Sequence, residues 1–282
     1  MGVGTDNYVW PGQCAALILL VTVASTDLRA QEITWGTVWD CATEAGLPYA
    51  GVLNRSRGSG TVADSAGTFE VRAMPADTLR FSALGYASRD TVQVANSGPL
   101  EVCLTTTPAL LPVATYTATR LGRTRHYGNN SESRQIVTGW SVEPRSGAER
   151  GTRIRIGRRA PLWLKAVELH LAQSTYARLR LRVNLYSAVP VDSATRPVHA
   201  WLLDTERQSG WVRLDVLEEE VEVSGDIFVS VEVVEAWSPR PENTSLLSAG
   251  LFTDGLYFRE GVAEPWQRGK VGLGMRVVTV GE

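Results

Sequence analysis

The sequence is poor in the residues that announce chemistry. It has three histidines and three cysteines in 282 residues. His126, His170 and His199 are followed three positions on by Asn129, Gln173 and Leu202, so none belongs to the paired His and Glu signature of a zinc hydrolase. There is no Gly-x-x-x-x-Gly-Lys phosphate loop, no Gly-x-Ser-x-Gly elbow and no Asp-x-Asp-x-Asp-Gly calcium loop. A glycosidase needs no local motif for its two carboxylates. Runs such as Glu218, Glu219 and Glu220 nevertheless read as a solvated strand. The expectation is a non-enzymatic protein with no catalytic residue, no cofactor and no metal. Net charge is only −2, which gives no overall case for a nucleic-acid or membrane-surface partner. With 44% hydrophobic residues, 26 Gly and 13 Pro, the composition is that of a globular protein of one large or two small domains.

The chain also lacks, at its start, an apolar run of the ~20 residues that a helix needs to cross a bilayer. Cys14 to Ala24 (CAALILLVTVA) is 11 residues long. It matches the apolar core of a secretory signal, with small Ala30 before a cut at Gln31. It departs from that pattern in that Met1 to Gln13 carries Asp6 and no Lys or Arg. The expectation is a signal peptide over residues 1–30 and an exported chain that is periplasmic, outer-membrane associated or secreted, without a membrane span. A buried N-terminal strand is the bland alternative. Cys14 precedes the apolar run, so no lipoprotein is implied. The remaining pair, Cys41 and Cys103, permits a disulfide in an exported chain. Closing that loop of 62 residues would contribute about 4 kcal/mol by the chain-entropy argument. Two separately buried thiols are the alternative.

From Ile33 onward, short alternating segments are separated by Gly and Pro turns, the pattern of an all-β domain. Thr68 to Ala73 puts Phe69 and Val71 on one face, and Asp64 to Gly67 suits a tight turn. Four motifs occur in order: Gly36-x-Val38-x-Asp40; Leu47-Pro48-Tyr49-Ala50-Gly51-Val52; Gly60-Thr61-Val62-Ala63-Asp64-x-x-Gly67-x-Phe69; and Asp77-Thr78-Leu79-x-Phe81-Ser82-x-Leu84-Gly85-Tyr86. These resemble the carboxypeptidase D regulatory-like domain, a transthyretin-like (prealbumin-like) β-sandwich of exported bacterial proteins. The resemblance covers residues 31–106 and implies a non-catalytic module, because peptidase activity in the enzymes behind the name resides in a separate zinc domain.

Residues 107–133 read as a linker rich in Thr, with Pro108 and Pro112 and one short alternating piece, Val113 to Ala118. Related domains often precede TonB-dependent transport barrels, but a barrel of about 22 strands needs well over 200 residues, more than follow this linker. Residues 134–282 alternate most clearly. In Arg178 to Tyr186, Leu179, Leu181, Val183 and Leu185 share one face. Asp226 to Val234 and Trp211 to Val216 repeat the pattern, Glu219 to Val223 is a further candidate strand, and a jelly-roll-like antiparallel β-sandwich is predicted. Asn184-Leu185-Tyr186-Ser187, Gly210-Trp211-Val212, Gly225-Asp226-Ile227-Phe228-Val229 and Ser248-Ala249-Gly250-Leu251-Phe252 resemble the C-terminal sandwich that accompanies regulatory-like domains in exported Bacteroidetes-type proteins, which have no established activity.

Charge is segregated. Residues 120–159 hold ten Arg against three Glu, and residues 204–264 hold 14 acids against four Arg. The structural expectation pairs Arg178, Arg180 and Arg182 with Glu218, Glu220 and Glu222 across strands; the functional one is an arginine-lined patch for an anionic glycan or cell-surface polymer. Trp163 and Trp211 are expected in the core. Trp237 and Trp266, with Arg240 and Arg268 nearby, are the expected ligand contacts. The leading reading is envelope or cell-surface binding or adhesion, with a cell-surface glycan or envelope protein as partner and no nucleic acid. The alternative is a carbohydrate-binding accessory module.

Overall fold

The computed structural model describes residues 32–93, 98–107, 122–140, 147–157, 161–190, 192, 195–238, 243–251 and 255–281. The expected signal peptide and the piece Val113 to Ala118 lie outside the described residues. Seven strands come first: β1 (Glu32–Asp40), β2 (Gly51–Asn54), β3 (Ser59–Val62), β4 (Thr68–Ala73), β5 (Thr78–Ser82), β6 (Arg89–Val92) and β7 (Leu100–Leu104). They form two sheets, ordered β4-β1-β7 and β3-β2-β5-β6. Their inner faces meet around Phe69 and Phe81, whose rings stand edge-on at 5.3 Å, with Val38, Val52, Leu79, Val102 and Leu104 completing the core.

The motif residues of this sandwich hold turns. Asp64 accepts the amides of Ala66 and Thr68, both at 2.9 Å. Gly67 has φ +82°, and a Cβ there would lie 2.4 Å from the Val38 carbonyl oxygen, so a side chain is barred twice. Asp77 accepts from Asn54 at 2.8 Å and from the Met74 amide at 2.9 Å. Tyr86 donates to Asp40 at 2.8 Å. The Ala42 amide and the Tyr86 hydroxyl together keep the Asp40 carboxyl below its ordinary range.

The larger sandwich comprises β8 (Arg123–Gly128), β9 (Val137–Trp140), β10 (Glu149–Ile154), β11 (Leu162–Ser174), β12 (Arg178–Tyr186), β13 (His199–Thr205), β14 (Gly210–Asp215), β15 (Glu222–Val223), β16 (Ile227–Trp237), β17 (Ser245–Gly250), β18 (Leu256–Arg259), β19 (Gln267–Arg268), β20 (Gly272–Leu273) and β21 (Met275–Gly281). One sheet runs β13-β12-β16-β10-β18-β19. The other runs β20-β17-β11-β21-β8, with β14 and β15 also on β11 and β9 on β17. The predicted alternation does the packing: Leu179, Leu181, Val183 and Leu185, with Ile227, Val229 and Val231, meet Leu164, Leu169, Leu171 and Val277 in one apolar core. The fold is all-β, a transthyretin-like sandwich followed by a jelly-roll-like antiparallel one. Among the described residues, no helix is long and apolar enough to cross a membrane.

Four expectations need correction. Residues 123–128 of the expected linker form β8 on the edge of β21; this strand is held by backbone pairing, and its mostly exposed side chains left no apolar alternation to read. The expected strand Glu219 to Val223 opens with a 3-10 turn, Leu217–Glu219, ended by Glu220 at φ 55°. Trp163 and Trp211 are only half-buried; Trp211 stacks under the Arg276 guanidinium at 4.0 Å and donates to Glu132. Arg178, Arg180 and Arg182 do not meet Glu218, Glu220 and Glu222, because the strands beside β12 are β13 and β16. Arg178 and Arg180 bind Asp204, and Arg182 binds Glu232.

Candidate functional site

Strand β16 is buried on both faces. Its second face presents Phe228, Ser230, Glu232 and Val234, all fully covered. On this face one rung crosses five neighbouring strands in register: Leu202 on β13, Arg182 on β12, Glu232 on β16, Glu149 on β10 and Arg259 on β18. Two carboxylates therefore sit side by side at the centre, each flanked outward by an arginine. Register alone brings four charges from four separate stretches of chain into one row.

The row is buried and hydrogen-bonded. Glu149 is 1% exposed. One of its oxygens pairs with Arg259, and the other accepts from Ser230, from Asn184 at 3.3 Å and from Tyr186 at 3.3 Å. Glu232 is 0% exposed. Its Oε2 takes the Arg182 guanidinium at 2.6 Å, and its Oε1 is buried with no partner among the described residues. The two acids consequently diverge. Burial would push the Glu149 carboxyl up, but Arg259 and the Ser230 hydroxyl outweigh it and hold it below the ordinary carboxylate range. Burial raises Glu232, the adjacent Glu149 charge adds to the rise, and Arg182 only partly opposes it. Burial and the Glu149 charge also push the Tyr186 phenol up.

The smaller sandwich closes over this rung. The Tyr49 carbonyl oxygen accepts from Arg182 Nη1 at 2.7 Å. The Tyr49 hydroxyl donates to Glu235 and accepts from Arg180, both at 3.0 Å. Tyr49 packs with Val62 and Val234 in a small apolar cluster and takes φ 56°, a left-handed conformation costly for a bulky residue and held by the contacts around it. Val262 fills the space beside Gly51 and Gly60, where a Cβ on Gly60 would come within 2.4 Å of it.

Between these contacts a cavity of about 440 Å³ remains, within the range of small-molecule sites. Its walls are apolar and aromatic: Leu47, Pro48, Leu84 and Tyr86 from the first sandwich, and Pro197, Trp201 and Leu202 from the second. Glu149, Arg182, Asn184, Tyr186 and Arg259 supply the polar lining, and exposed Arg196 stands at the rim. Apolar walls around a few fixed polar groups suit a ligand with both kinds of surface, such as a sugar ring.

The expected ligand contacts are not brought together here. Trp237 is 40% exposed, with Arg178 and Arg180 lying over its ring at 4.9 and 5.7 Å. Trp266 packs edge-on against Phe228 at 5.2 Å with Arg259 over it. Phe228 and Trp237 lie nine residues apart on β16, so the two tryptophans sit about 30 Å apart and cannot hold one sugar between them. Arg268 is exposed and lies over the Tyr257 ring at 5.8 Å, and Arg240 lies outside the described residues. Cys41 and Cys103 are joined by a disulfide with Cα atoms 4.9 Å apart, tying the end of β1 to β7. The histidines lie on β8, β11 and β13; His170 is buried against Ser248 at 2.7 Å, and His199 stacks on Trp201. Among the described residues, no group of three His, Cys, Asp or Glu is placed to hold a metal ion.

The residues of this candidate site not singled out from sequence were Glu149, Glu232, Arg259, Arg196 and Trp201. One signal existed. The supposedly solvated face of β16 reads Phe228, Ser230, Glu232 and Val234, too apolar for solvent and therefore a covered surface.

A search of curated proteins finds no match. Among solved structures, the crystal structure of the cysteine protease and lectin-like domains of Cwp84, a surface layer associated protein of Clostridium difficile, aligns with 8% identity and a TM-score of 0.41, over 79% of this chain. The chain spans 46% of the length of that structure. A family model described as the CarboxypepD_reg-like domain matches residues 34–112. That match coincides with the seven-stranded sandwich and with the ordered motifs from Gly36 to Tyr86, so the N-terminal part of this chain is a CarboxypepD_reg-like domain.

Proposed function

We propose that this is a non-enzymatic exported protein of the cell envelope or cell surface, and that it binds its ligand in the cavity between the two sandwiches. The observation that carries this reading is the cavity itself: about 440 Å³, walled by apolar and aromatic groups and lined by buried polar groups held in register by four strands. Such a site binds through shape and a few fixed hydrogen bonds. Glu149 is ion-paired on one oxygen and accepts three hydrogen bonds on the other, which suits a structural anion better than a free acid or base.

The cavity also relocates the carbohydrate-binding alternative. Trp201 and Tyr86 offer aromatic surface beside Asn184 and Arg259, whereas Trp237 is already covered by two arginines. The test is a glycan and polysaccharide array probed with the exported chain and with Trp201→Ala and Trp237→Ala. Binding lost in Trp201→Ala and kept in Trp237→Ala is expected. No binding on the array removes the carbohydrate reading. Binding that survives Trp201→Ala removes the cavity, and turnover of a bound glycan into products removes the non-enzymatic assignment.

A further inference from the structure

Resting on that cavity reading, we infer that the ligand is a sugar bearing an anionic substituent, a carboxylate or a phosphate or sulfate ester, and that Arg196 and Arg259 receive the anion. The inference starts from a charge count. Of the four charged residues that line the cavity, three are arginines and one is a glutamate. Glu149 is matched by Arg259, and Arg182 is matched by Glu232 from behind. That leaves Arg196. Among the described residues its hydrogen-bond partner is the neutral hydroxyl of Ser88, and no carboxylate pairs with it. Its side chain is exposed at the rim, yet the desolvation it meets against the cavity wall and the nearby charge of Arg80 both make its own charge harder to hold. An arginine kept in such a place without a counter-ion favours an anion supplied from outside.

A second observation is independent of the first. Arg259 lines the same cavity with its side chain 8% exposed, and its Nε is buried with no acceptor among the described residues. A buried donor left unpaired costs about 1–3 kcal/mol, so a small turn of the Arg259 guanidinium that brought this donor onto a ligand acceptor would be favoured. Both unmet groups are donors, so the ligand must bring acceptors, and the surplus positive charge says that at least one of them is an anion. The aromatic and apolar walls, Trp201, Tyr86 and Pro197 among them, meanwhile call for a face with exposed CH groups. A sugar ring with an acidic substituent has both.

The test uses the exported chain, with titrations of a di-hexuronate, the matching neutral di-hexose, and hexose disaccharides carrying one phosphate or one sulfate ester. Binding is followed by calorimetry and by Trp fluorescence. An acidic disaccharide is expected to bind at least about tenfold more tightly than the neutral one, the loss of one charge-assisted hydrogen bond being worth roughly that factor or more. Arg196→Gln should lower affinity for the acidic sugar by more than it lowers affinity for the neutral one, so that most of the preference is lost, and Arg196→Lys should restore part of it. Uronate and ester arms distinguish a carboxylate from a phosphate or sulfate, and a preference for any of them over the neutral sugar supports the inference. Equal affinity for acidic and neutral sugars, or a preference undiminished by Arg196→Gln, overturns the inference while leaving the cavity reading in place. Absence of binding by every sugar overturns the inference together with the carbohydrate reading.

Discussion

Removing the Arg259 guanidinium tests the central physical claim, that the buried rung is held by pairing and not by hydration. In Arg259→Met the side-chain stem stays apolar over Trp266, but Glu149, 1% exposed, loses its ionic partner. Breaking one side of a buried pair costs about 3–5 kcal/mol. The low end applies here, because Glu149 keeps the hydrogen bonds from Ser230, Asn184 and Tyr186 and the charge of Arg182 is close by. A loss of about 3 kcal/mol lowers Tm by about 6–12 °C for a domain of this size. The sign of the pH dependence follows. Without Arg259 the folded-state pKa of Glu149 rises above its unfolded value of about 4.5, so the deficit is largest above that raised value and shrinks as pH falls through it toward 4.5; below 4.5 the parent chain loses its own Arg259 stabilisation as well, and the gap closes further. The double variant Glu149→Gln, Arg259→Met removes both charges and relieves the repulsion on Glu232, so it should recover to within about 1 kcal/mol of the parent chain. Urea unfolding followed by Trp fluorescence and circular dichroism compares the parent chain, each single variant (Arg259→Met and Glu149→Gln) and the double variant. A single-variant loss below about 1 kcal/mol, or a double variant as unstable as the sum of the two single changes, refutes the reasoning.

Other consequences follow from single contacts. Replacing Cys41 and Cys103 by Ser opens a loop of 62 residues and should lower stability by about 4 kcal/mol, with reductant producing the same shift in the parent chain; an unchanged urea midpoint counts against the bond. Tyr49→Phe removes two 3.0 Å hydrogen bonds but leaves Arg180 and Glu235 able to pair with each other at 3.3 Å, so a loss of about 1–2 kcal/mol is expected. Gly60→Ala sets a methyl 2.4 Å from Val262 and 2.6 Å from the Val52 carbonyl oxygen, predicting a loss of about 1–3 kcal/mol and weaker ligand binding through displacement of the cavity wall. Burial holds His170 and His199 below the ordinary value of 6.5. Their contribution is therefore present above that pH and is lost as pH falls through their folded values, so Tm should begin to drop on acidification from about pH 7 to 5. A second decline is expected as pH falls from 3.8 toward the Asp204 value of about 2, which the hydrogen bond from Arg180 sets. A His170→Gln, His199→Gln chain that keeps the first slope would disprove that assignment.

Much of the fold was legible. Thr68 to Ala73 and Arg178 to Tyr186 became strands with the bounds read from alternation, because burying one face of a pleated strand is a local, period-2 demand. The turns at Asp64 to Gly67 were legible for the same reason, since a short polar side chain and a positive φ act within a few residues. The site was not legible. Arg182 shares a strand face with Arg178 and Arg180 and was expected with them to meet Glu218, Glu220 and Glu222, yet it binds Glu232 and reaches the Tyr49 carbonyl oxygen, 133 residues away in sequence. Strand β8 escaped notice because an edge strand needs only backbone partners.

The amino-acid order, taken alone, determined that the chain pleats, where it turns, which side chains form the two apolar cores, and that its first part is of the regulatory-like kind. Tertiary structure decided which strands became neighbours. That choice set Glu232 beside Glu149, gave each an arginine, separated Trp237 from Trp266, and left a cavity with Arg196 at its rim, paired with no carboxylate among the described residues. Hydrophobic period is a property of adjacent residues, whereas charge matching across a sheet depends on the register of strands far apart in the chain.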